Sequence, residues 1–452
     1  MRHTLFIYFS SIVLLLGVGA CSSPQGVQGS NLAYLYNPKE LALKANYVVV
    51  HQNDSVSQLH YRFNSSDLLY VRNNETGRYE ANFNLTYRVL KSSNSVSYSD
   101  SNSFSFVDEV SQPPQKVISG YFNFKTDDSQ LKDQAGLLVI ELQDLKRKVG
   151  YQSFKRFSKK SLNQRQYFRL TDTANRLLYE PHLPVGVPFK LAHDVLEPKS
   201  FYVSFYERDF PVALPPYSSK KPSTFELKPD TTYKVDANAT LNLPQKGFYH
   251  IRLDTSQWEG FTLYSFYREF PYIANFENLA PPLRYLTTAK EYAQVEAALA
   301  NPLEAKKLVD RFWLERAGSQ ERSKSLIKSY YQRVEEANRL FTSFMEGWKT
   351  DRGIIYTIYG PPNIVYHSEG GESWVYGSES SSLSYYFNFE KIANPFTDND
   401  YELNRSPQYR YGWGQAIEAW RNGHIYNSKD IRREQDAQDQ QLQYRNRNPY
   451  WY

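Results

Sequence analysis

The chain has 452 residues, which is enough for two to four domains with real cores and excludes a peptide-sized scaffold. It is 41% hydrophobic and 22% charged, as in an ordinary globular protein, but 16% of its residues are aromatic and 38 are Tyr. The net charge of +5 is mild for this length, and no nucleic-acid-binding motif accompanies it, so the sequence predicts no nucleic-acid partner.

Residues 1–20 have the pattern of a signal peptide: a positive start, the apolar run Leu5–Leu16, and small residues just before Cys21. The sequence Val18-Gly19-Ala20-Cys21 is similar to the lipobox of bacterial lipoproteins, which implies that the cysteine is acylated after cleavage. The alternative is an ordinary cleaved signal with an unmodified cysteine nearby. Because Cys21 is the only cysteine in the chain, we expect it to be the lipidation site.

A lipid anchor at Cys21 makes the membrane a partner of the protein without a spanning helix. Ser22 rather than Asp follows the cysteine, which under the usual bacterial sorting rule implies the outer membrane. No acidic run follows, so a periplasm-facing position is favoured over the cell surface, and both remain open. The lone cysteine excludes an intramolecular disulfide, so stability must come from core burial.

Two β regions are predicted before the C-terminal part of the chain. Residues 21–43 are expected to form a flexible tether, and residues 44–150 contain seven short β-rich runs that favour an immunoglobulin-like β-sandwich. A second sandwich is predicted over residues 176–278. Residues 151–175 between them are read as a basic linker, which either contacts anionic lipid or glycan or is only a solvated strand and connection.

From residue 279 to residue 426 the pattern becomes helical and then mixed. Thr288 is positioned to cap one helix, Asn301 followed by Pro to begin a second, and Gly318 to end it. A third helix carries apolar residues at spacings of three and four, and a terminal helix follows a small β-sheet. Residues 427–452 are expected to form a polar tail.

One segment, "GWKTDRGIIYTIYGPP" at residues 347–362, combines several local signals. Gly347 is predicted to be a left-handed helix cap, Gly353 to take positive φ in a turn, and "IIYTIY" to be a strand that pairs near Trp374–Tyr376. The residues singled out as structural, with a possible function, are Gly347, Trp348, Thr350, Asp351, Arg352, Gly353, Gly360, Pro361 and Pro362.

Residues 285–376 resemble the GWxTD domain-containing family, in a form similar to Bacteroidota lipoproteins. The resemblance lies in "RYLTTAKEYAQVEAAL", Phe312-Trp313, Arg316, "YYQRVEEANRLF" and the whole of residues 347–362. The family often continues from this arginine into Asp-Pro, whereas Ala317-Gly318 stand here. The resemblance implies a fold and a compartment but brings no activity with it.

A search for chemistry finds no zinc-binding histidine pair, nucleophile elbow, Walker loop or dinucleotide fingerprint, so no cofactor, metal or catalytic residue is assigned. The best polar constellation is Asp351, Arg352, His367, Glu369 and Glu372, in which Asp351 or Glu372 would pair with His367 as a base. The alternative is a capping Asp, an ion pair and a solvated loop. The acidic segment 398–402 is read as a turn rather than a calcium loop, because the central Gly and the distant Glu are missing.

The sequence therefore predicts a mainly β protein with an α+β C-terminal part. We expect a non-enzymatic outer-membrane lipoprotein that acts as a binding or scaffolding unit in the cell envelope, with an envelope protein as partner. Two alternatives remain: glycan or peptidoglycan binding through tyrosine-rich faces, and a hydrolase centred on Asp351 and His367.

Overall fold

The computed structural model describes residues 29–95, 97–126, 135–220, 222, 226–378 and 384–433. Within these residues the chain is mainly β, with helices gathered toward the C-terminus beside a small antiparallel sheet. The predicted fold class, mainly β with an α+β C-terminal part, is confirmed. The expected lipidation site, Cys21, and most of the expected polar tail lie outside the described residues.

The first β region folds into two antiparallel sheets around a shared core. Its strands are β1 (Asn46–His51), β2 (Val56–Asn64), β3 (Val71–Arg72), β4 (Tyr79–Leu90), β5 (Asp100–Val110), β6 (Val117–Lys125), β7 (Gly136–Asp144) and β8 (Val149–Phe157). One sheet has the order β1-β2-β6, and the other has the order β3-β4-β7-β8 with β5 also paired to β4. Leu59 and Phe63 from the first sheet join Leu85 and Ile140 from the second in one buried cluster.

Part of the predicted basic linker is a strand. β8 pairs with β7 from Val149 to Phe157, so residues 151–157 belong to the first β region and fit the alternative of a solvated strand. The edge position of β8 tolerates the charged Lys155 and Arg156 while its backbone pairs on the other side. The first β region therefore extends past its expected end at residue 150.

The second β region contains a four-stranded and a two-stranded sheet. Its strands are β9 (Phe168–Thr171), β10 (Lys190–His193), β11 (Ser200–Tyr206), β12 (Thr231–Asp236), β13 (Gly247–Arg252) and β14 (Phe261–Ser265). The larger sheet has the order β12-β11-β13-β14, and β9 pairs with β10. Leu170 and Leu191 of the small sheet share a buried cluster with Phe201 and Leu263 of the large one.

The C-terminal domain, residues 276–433, combines helices with a four-stranded antiparallel sheet in the order β15-β16-β17-β18. Its elements are α1 (Phe276–Leu279), α2 (Ala289–Ala298), α3 (Pro302–Ala317), α4 (Gln320–Phe341), α5 (Asp351–Tyr359), β15 (Ile364–His367), β16 (Gly371–Tyr376), β17 (Tyr385–Lys391), β18 (Tyr401–Leu403) and α6 (Tyr409–Arg421). No helix in the described ranges is long and apolar enough to cross a membrane.

The helix signals read from the sequence are confirmed in this domain. Thr288 and Glu291 form a capping box, in which Thr288 Oγ1 accepts from the Glu291 amide and the Glu291 carboxylate accepts from the Thr288 amide. The Asn301 side chain caps α3 by accepting from the Leu303 amide. Gly318 ends α3 in the left-handed region with a φ of 69°. These ends are set by local chemistry, which explains why a single sequence predicts them.

The segment "IIYTIY" is helical, so the predicted strand is wrong. It lies in α5, all nine residues of which are buried. The Thr350 carbonyl accepts from the Ile354 amide at 2.9 Å, which begins the helix. A helix surrounded on every side has no polar stripe, and a short continuous apolar run does not distinguish it from a buried strand. Tertiary packing overrides the strand preference of its β-branched residues here.

A segment near the start of the described residues is part of the C-terminal core. We name residues 31–37 the N-terminal strap. The Leu32 amide donates to the Val365 carbonyl at 2.8 Å, and the Asn31 side chain accepts from the Val365 amide at 3.0 Å. Leu32 is 1% exposed and Tyr36 is 7% exposed. The predicted flexible tether over residues 21–43 is therefore wrong for the strap.

Candidate functional site

Two glycines of the segment at residues 347–362 allow close backbone packing. A Cβ on Gly347 would lie 1.9 Å from the Ala337 carbonyl oxygen of α4, and a Cβ on Gly353 would lie 1.9 Å from the Gly347 carbonyl oxygen. Neither residue has positive φ, so the left-handed conformations predicted for them are wrong. Glycine is required at both positions because no side chain fits between the backbones.

Trp348 and Thr350 fix the start of α5. Trp348 is 4% exposed, its amide donates to Asn338 Oδ1 at 3.3 Å, and its carbonyl accepts from the Tyr285 hydroxyl at 2.8 Å. Thr350 Oγ1 donates to the Gly347 carbonyl and accepts from the Gly353 amide at 3.1 Å. These contacts join the short 3-10 turn Gly347–Lys349 to both α4 and α5.

Asp351 holds the final sheet against the start of α5. One carboxylate oxygen pairs with the Arg405 guanidinium, and the other accepts from the Leu403 amide at 2.7 Å. Burial raises the pKa of the Asp351 carboxyl, and Arg405 and the Leu403 amide oppose that rise. Both oxygens are thus engaged beside β18, and the predicted pairing of Asp351 with His367 is not observed.

Arg352 has different partners from those of Asp351, and it forms a buried ion pair with Glu372. Its Nη1 donates to Glu372 Oε1 at 2.9 Å, and both side chains are 3% exposed. Its Nη2 donates to the Asn399 carbonyl at 3.1 Å. The guanidinium carbon lies 3.8 Å from the centroid of the Tyr401 ring, which adds a cation–π contact. The guanidinium is therefore surrounded by acceptors on the inside of the domain.

Glu372 is the centre of this network. Tyr36 of the strap donates to Glu372 Oε1 at 2.9 Å, and Trp374 Nε1 donates to Oε2 at 2.9 Å. Burial by itself would raise the pKa of the Glu372 carboxyl, but Arg352, His367 and these hydrogen bonds hold that pKa below its usual value. The carboxylate is therefore held in its charged form.

His367 lies at the edge of the same network. Its Nε2 is 3.6 Å from Glu372 Oε1 and 3.3 Å from the Tyr36 hydroxyl oxygen. Burial lowers the pKa of His367, Glu372 opposes that change, and Arg352 and Arg156 add to it. Glu369, the remaining member of the predicted constellation, is exposed in the loop before β16.

The Gly-Pro-Pro end of the segment terminates a helix instead of the predicted strand. Gly360 has a φ of 82°, and its amide donates to the Tyr356 carbonyl at 2.8 Å. Its carbonyl accepts from the Tyr376 hydroxyl at 2.7 Å, which fixes α5 to β16. Pro361 and Pro362 follow directly, and neither has an amide hydrogen with which to continue the helix.

A cavity of about 1060 Å³ lies where both β regions meet the C-terminal domain. Lys155 of β8 lines one wall, and Glu180 and Trp258 come from the second β region. Arg352 and His367 of the C-terminal domain reach it from the third side. Cavities of a few hundred to about a thousand Å³ that lie between domains are typical of ligand sites. The ion-pair network therefore forms part of the wall of a candidate binding site.

The structure brings Arg352, His367 and Glu372 together and places Asp351 and Glu369 elsewhere. Sequence reasoning missed three partners of these residues: Tyr36, Asn399 and Arg405. Each lies at least 47 positions from the residue it contacts. A single sequence shows short-range spacing only, so no local signal could have identified them.

The acidic segment 398–402 contributes contacts within the protein. Asp398 lies 3.7 Å from Arg165, and Asp400 accepts from the Asn394 side chain at 3.0 Å. Asn399 donates to the Leu340 carbonyl in the last turn of α4 and to the Thr342 carbonyl directly after the helix. Among the residues that the structure describes, no group of His, Cys, Asp and Glu is arranged to hold a metal ion.

Comparison with known proteins supports the identity of the C-terminal part. The family model described as the GWxTD domain matches residues 247–422, which begin at β13 and include α1–α6 and β15–β18. No curated protein matches the chain. The match includes the whole segment at residues 347–362, whose contacts organise the domain core. Residues 247–422 of the chain therefore form a GWxTD domain.

Proposed function

We propose that this protein is a non-enzymatic binding unit of the bacterial cell envelope, held at the outer membrane through a lipid on Cys21. The observation that carries the proposal is the cavity shared by both β regions and the C-terminal domain. A ligand or partner segment in this cavity would contact all three parts at once. Such a site suits the recognition of a ligand, and it would explain why all three parts of the chain contribute to the cavity.

The polar residues of the GWxTD segment favour binding over catalysis. General acid–base work requires a group within hydrogen-bond reach of a substrate proton and free to exchange it. Asp351 directs both oxygens to Arg405 and Leu403, and Glu372 accepts from Arg352, Tyr36 and Trp374. These carboxylates are thus used to hold the domain together.

The strap limits the distance between the proposed site and the membrane. Leu32 is eleven residues after Cys21 and is buried in the C-terminal domain. At ~3.6 Å per residue, a fully extended chain between them spans at most about 40 Å. An anchor at Cys21 would therefore keep the C-terminal domain close to the bilayer, which fits a periplasm-facing protein that works near the outer membrane.

Glycan binding is a second candidate, favoured by one observation at the cavity. Trp258 lines the cavity with 47% of its surface exposed, and a partly exposed indole is suited to stacking on a sugar ring. The tyrosine-rich faces expected from composition support it less, because Tyr61, Tyr87, Tyr249 and many other tyrosines are buried in the cores.

Site-specific photo-crosslinking in the native cell tests the proposed function. A photoreactive phenylalanine analogue at position 258 is expected to capture a defined envelope component, whereas the same analogue at Tyr411, which is 74% exposed and outside the cavity lining, is not. Adducts of equal yield at both positions, or none at 258, would refute a binding site in the cavity. In parallel, Cys21→Ser is expected to release the protein from the membrane fraction, and its retention there would refute the anchor.

A further inference from the structure

Three cations line one side of the cavity without an ion-pair partner among the described residues. Lys155 and Arg156 lie on β8, and Lys391 ends β17. In the described ranges none of these side chains takes part in an ion pair or a side-chain hydrogen bond. By contrast, the neighbouring Arg352 is paired with Glu372 at 2.9 Å and Arg165 with Asp398 at 3.7 Å. The wall therefore carries three cations that form no ion pair with a carboxylate of the described residues.

Two of the carboxylates that line the cavity, Glu372 and Asp398, are already paired with other cations. Glu372 is shared between Arg352 and two other donors, and Asp398 lies against Arg165. Glu180 accepts from the Asn46 side chain at 2.9 Å. Glu259 also lines the cavity, and in the described residues neither it nor Glu180 forms an ion pair, so three unpaired cations share the cavity with two unpaired carboxylates and the unpaired charge is positive on balance.

The positive charge of Arg156 acts on the neighbouring Lys391. Burial lowers the pKa of Lys391, Asp398 and Glu372 oppose that change, and Arg156 and Arg352 add to it. Burial likewise lowers the pKa of Lys155, Glu180 and Asp398 oppose that change, and Arg165 adds to it. Like charges held together in a recess repel each other, and an anion placed between them removes that repulsion.

We infer that Arg156 and Lys391, with Lys155 beside them, bind the carboxylate or phosphate group of an anionic saccharide in this cavity. Guanidinium and ammonium groups form strong, charge-assisted hydrogen bonds with both kinds of oxyanion. The cavity volume of about 1060 Å³ leaves room for sugar rings beyond the anionic group, and the exposed Trp258 ring offers them a stacking surface. This inference rests on the proposed binding function and names the ligand class.

Isothermal titration of the detergent-solubilised full-length protein tests the inference. The probes are glucuronate, glucose 6-phosphate and inorganic phosphate, with glucose as the neutral control. We expect at least one sugar anion to bind, more weakly as salt is raised, and glucose to bind at least tenfold more weakly. Comparison of glucuronate with glucose 6-phosphate identifies the anionic group. Binding of inorganic phosphate alone would refute the claim that the ligand is a saccharide.

Charge-removing variants locate the site. Arg156→Gln and Lys391→Gln are each expected to weaken anion binding at least tenfold with unchanged melting temperature. Lys246→Gln, an exposed cation outside the cavity lining, is the matched control and is expected to bind as the parent protein does. Absence of anion binding to the parent protein, or equal affinity in all three variants, would overturn the inference. Specific crosslinking at position 258 in that case would leave the proposed binding function standing without the anionic ligand.

Discussion

Arg352 Nη1 lies 2.9 Å from Glu372 Oε1, and each side chain is 3% exposed. The pair joins the first turn of α5 to β16, and Tyr36 of the strap donates to the same carboxylate. Three segments that are distant in sequence thus meet at one buried charge. The structure accordingly makes the arginine of the GWxTD segment a structural cation with a defined counterion.

Removing this counterion is expected to destabilise the protein strongly. Glu372→Gln leaves the Arg352 guanidinium buried without its charge partner, which costs about 3–5 kcal/mol in the free energy of unfolding. The exposed Glu369 provides a matched control, because Glu369→Gln is expected to change stability by less than about 0.5 kcal/mol. Chemical denaturation measures both. Equal stability of the two variants would contradict the role assigned to the pair.

The glycine contacts make a second prediction. Gly353→Ala places a Cβ 1.9 Å from the Gly347 carbonyl oxygen, so the backbones must separate, at a cost of at least about 2–3 kcal/mol. Gly414 also lies inside a helix but has open space around it, so Gly414→Ala is expected to stabilise by about 0.5–1 kcal/mol. The melting temperatures of the two variants should move in opposite directions, and a tolerated Gly353→Ala would show that the close approach is not needed.

The third prediction concerns the strap. Truncation of a side chain lowers the stability of the protein if the segment is buried, and has little effect if the segment is a flexible tether. Leu32 is 1% exposed, so Leu32→Ala is expected to cost about 2–5 kcal/mol. Leu303 is 70% exposed, and Leu303→Ala should have little effect on stability. Limited proteolysis adds an independent measurement: the Leu32→Ala protein should be cut near the strap faster than the parent. Identical stability of the two variants would indicate that the strap is a flexible tether after all.

A fourth prediction concerns pH and the buried His250. Its Nε2–H donates to the Trp258 carbonyl at 2.6 Å, and its Nδ1 accepts from the Thr262 hydroxyl at 2.9 Å. Burial lowers the pKa of His250 to about 4 from its usual value of 6.5. The unfolded state therefore binds the proton more tightly, so His250 contributes stability above pH ~6.5 that is lost as the pH falls through that range to ~4.

The lost contribution amounts to about 3 kcal/mol by pH 4, from the shift between 6.5 and about 4. His250→Gln removes the titrating group, so its melting temperature should fall less between pH 7.5 and pH 4.5 than that of the parent protein. Thermal unfolding at a series of pH values measures this difference. Parallel pH profiles for the two proteins would refute the assignment.

The parts of the fold that depend on local chemistry could be predicted from the sequence. The capping box at Thr288, the Asn301 cap and the left-handed Gly318 each depend on residues within one turn of the helix end. Most strands of both β regions show alternation or β-branched runs bounded by turn residues, and the fold class followed from them.

The predictions that were wrong concern parts of the fold that depend on long-range packing. The α5 helix is buried on all sides, so its sequence carries no periodic polar stripe to distinguish it from a strand. The strap is polar at its start, and it pairs with Val365, which is more than 330 positions away. The candidate site has the same character, because Arg352 and Glu372 were identified as a pair of charges, whereas Tyr36 and Asn399 beside them were not.

The central claim is that the polar residues of the GWxTD segment hold the domain together instead of performing chemistry. Thermal unfolding of the full-length Asp351→Asn protein tests it most directly, because this substitution leaves Arg405, whose side chain is 7% exposed, without its counterion. The claim predicts that the melting temperature falls by several degrees. An unchanged melting temperature, together with loss of ligand capture in the cell, would contradict it.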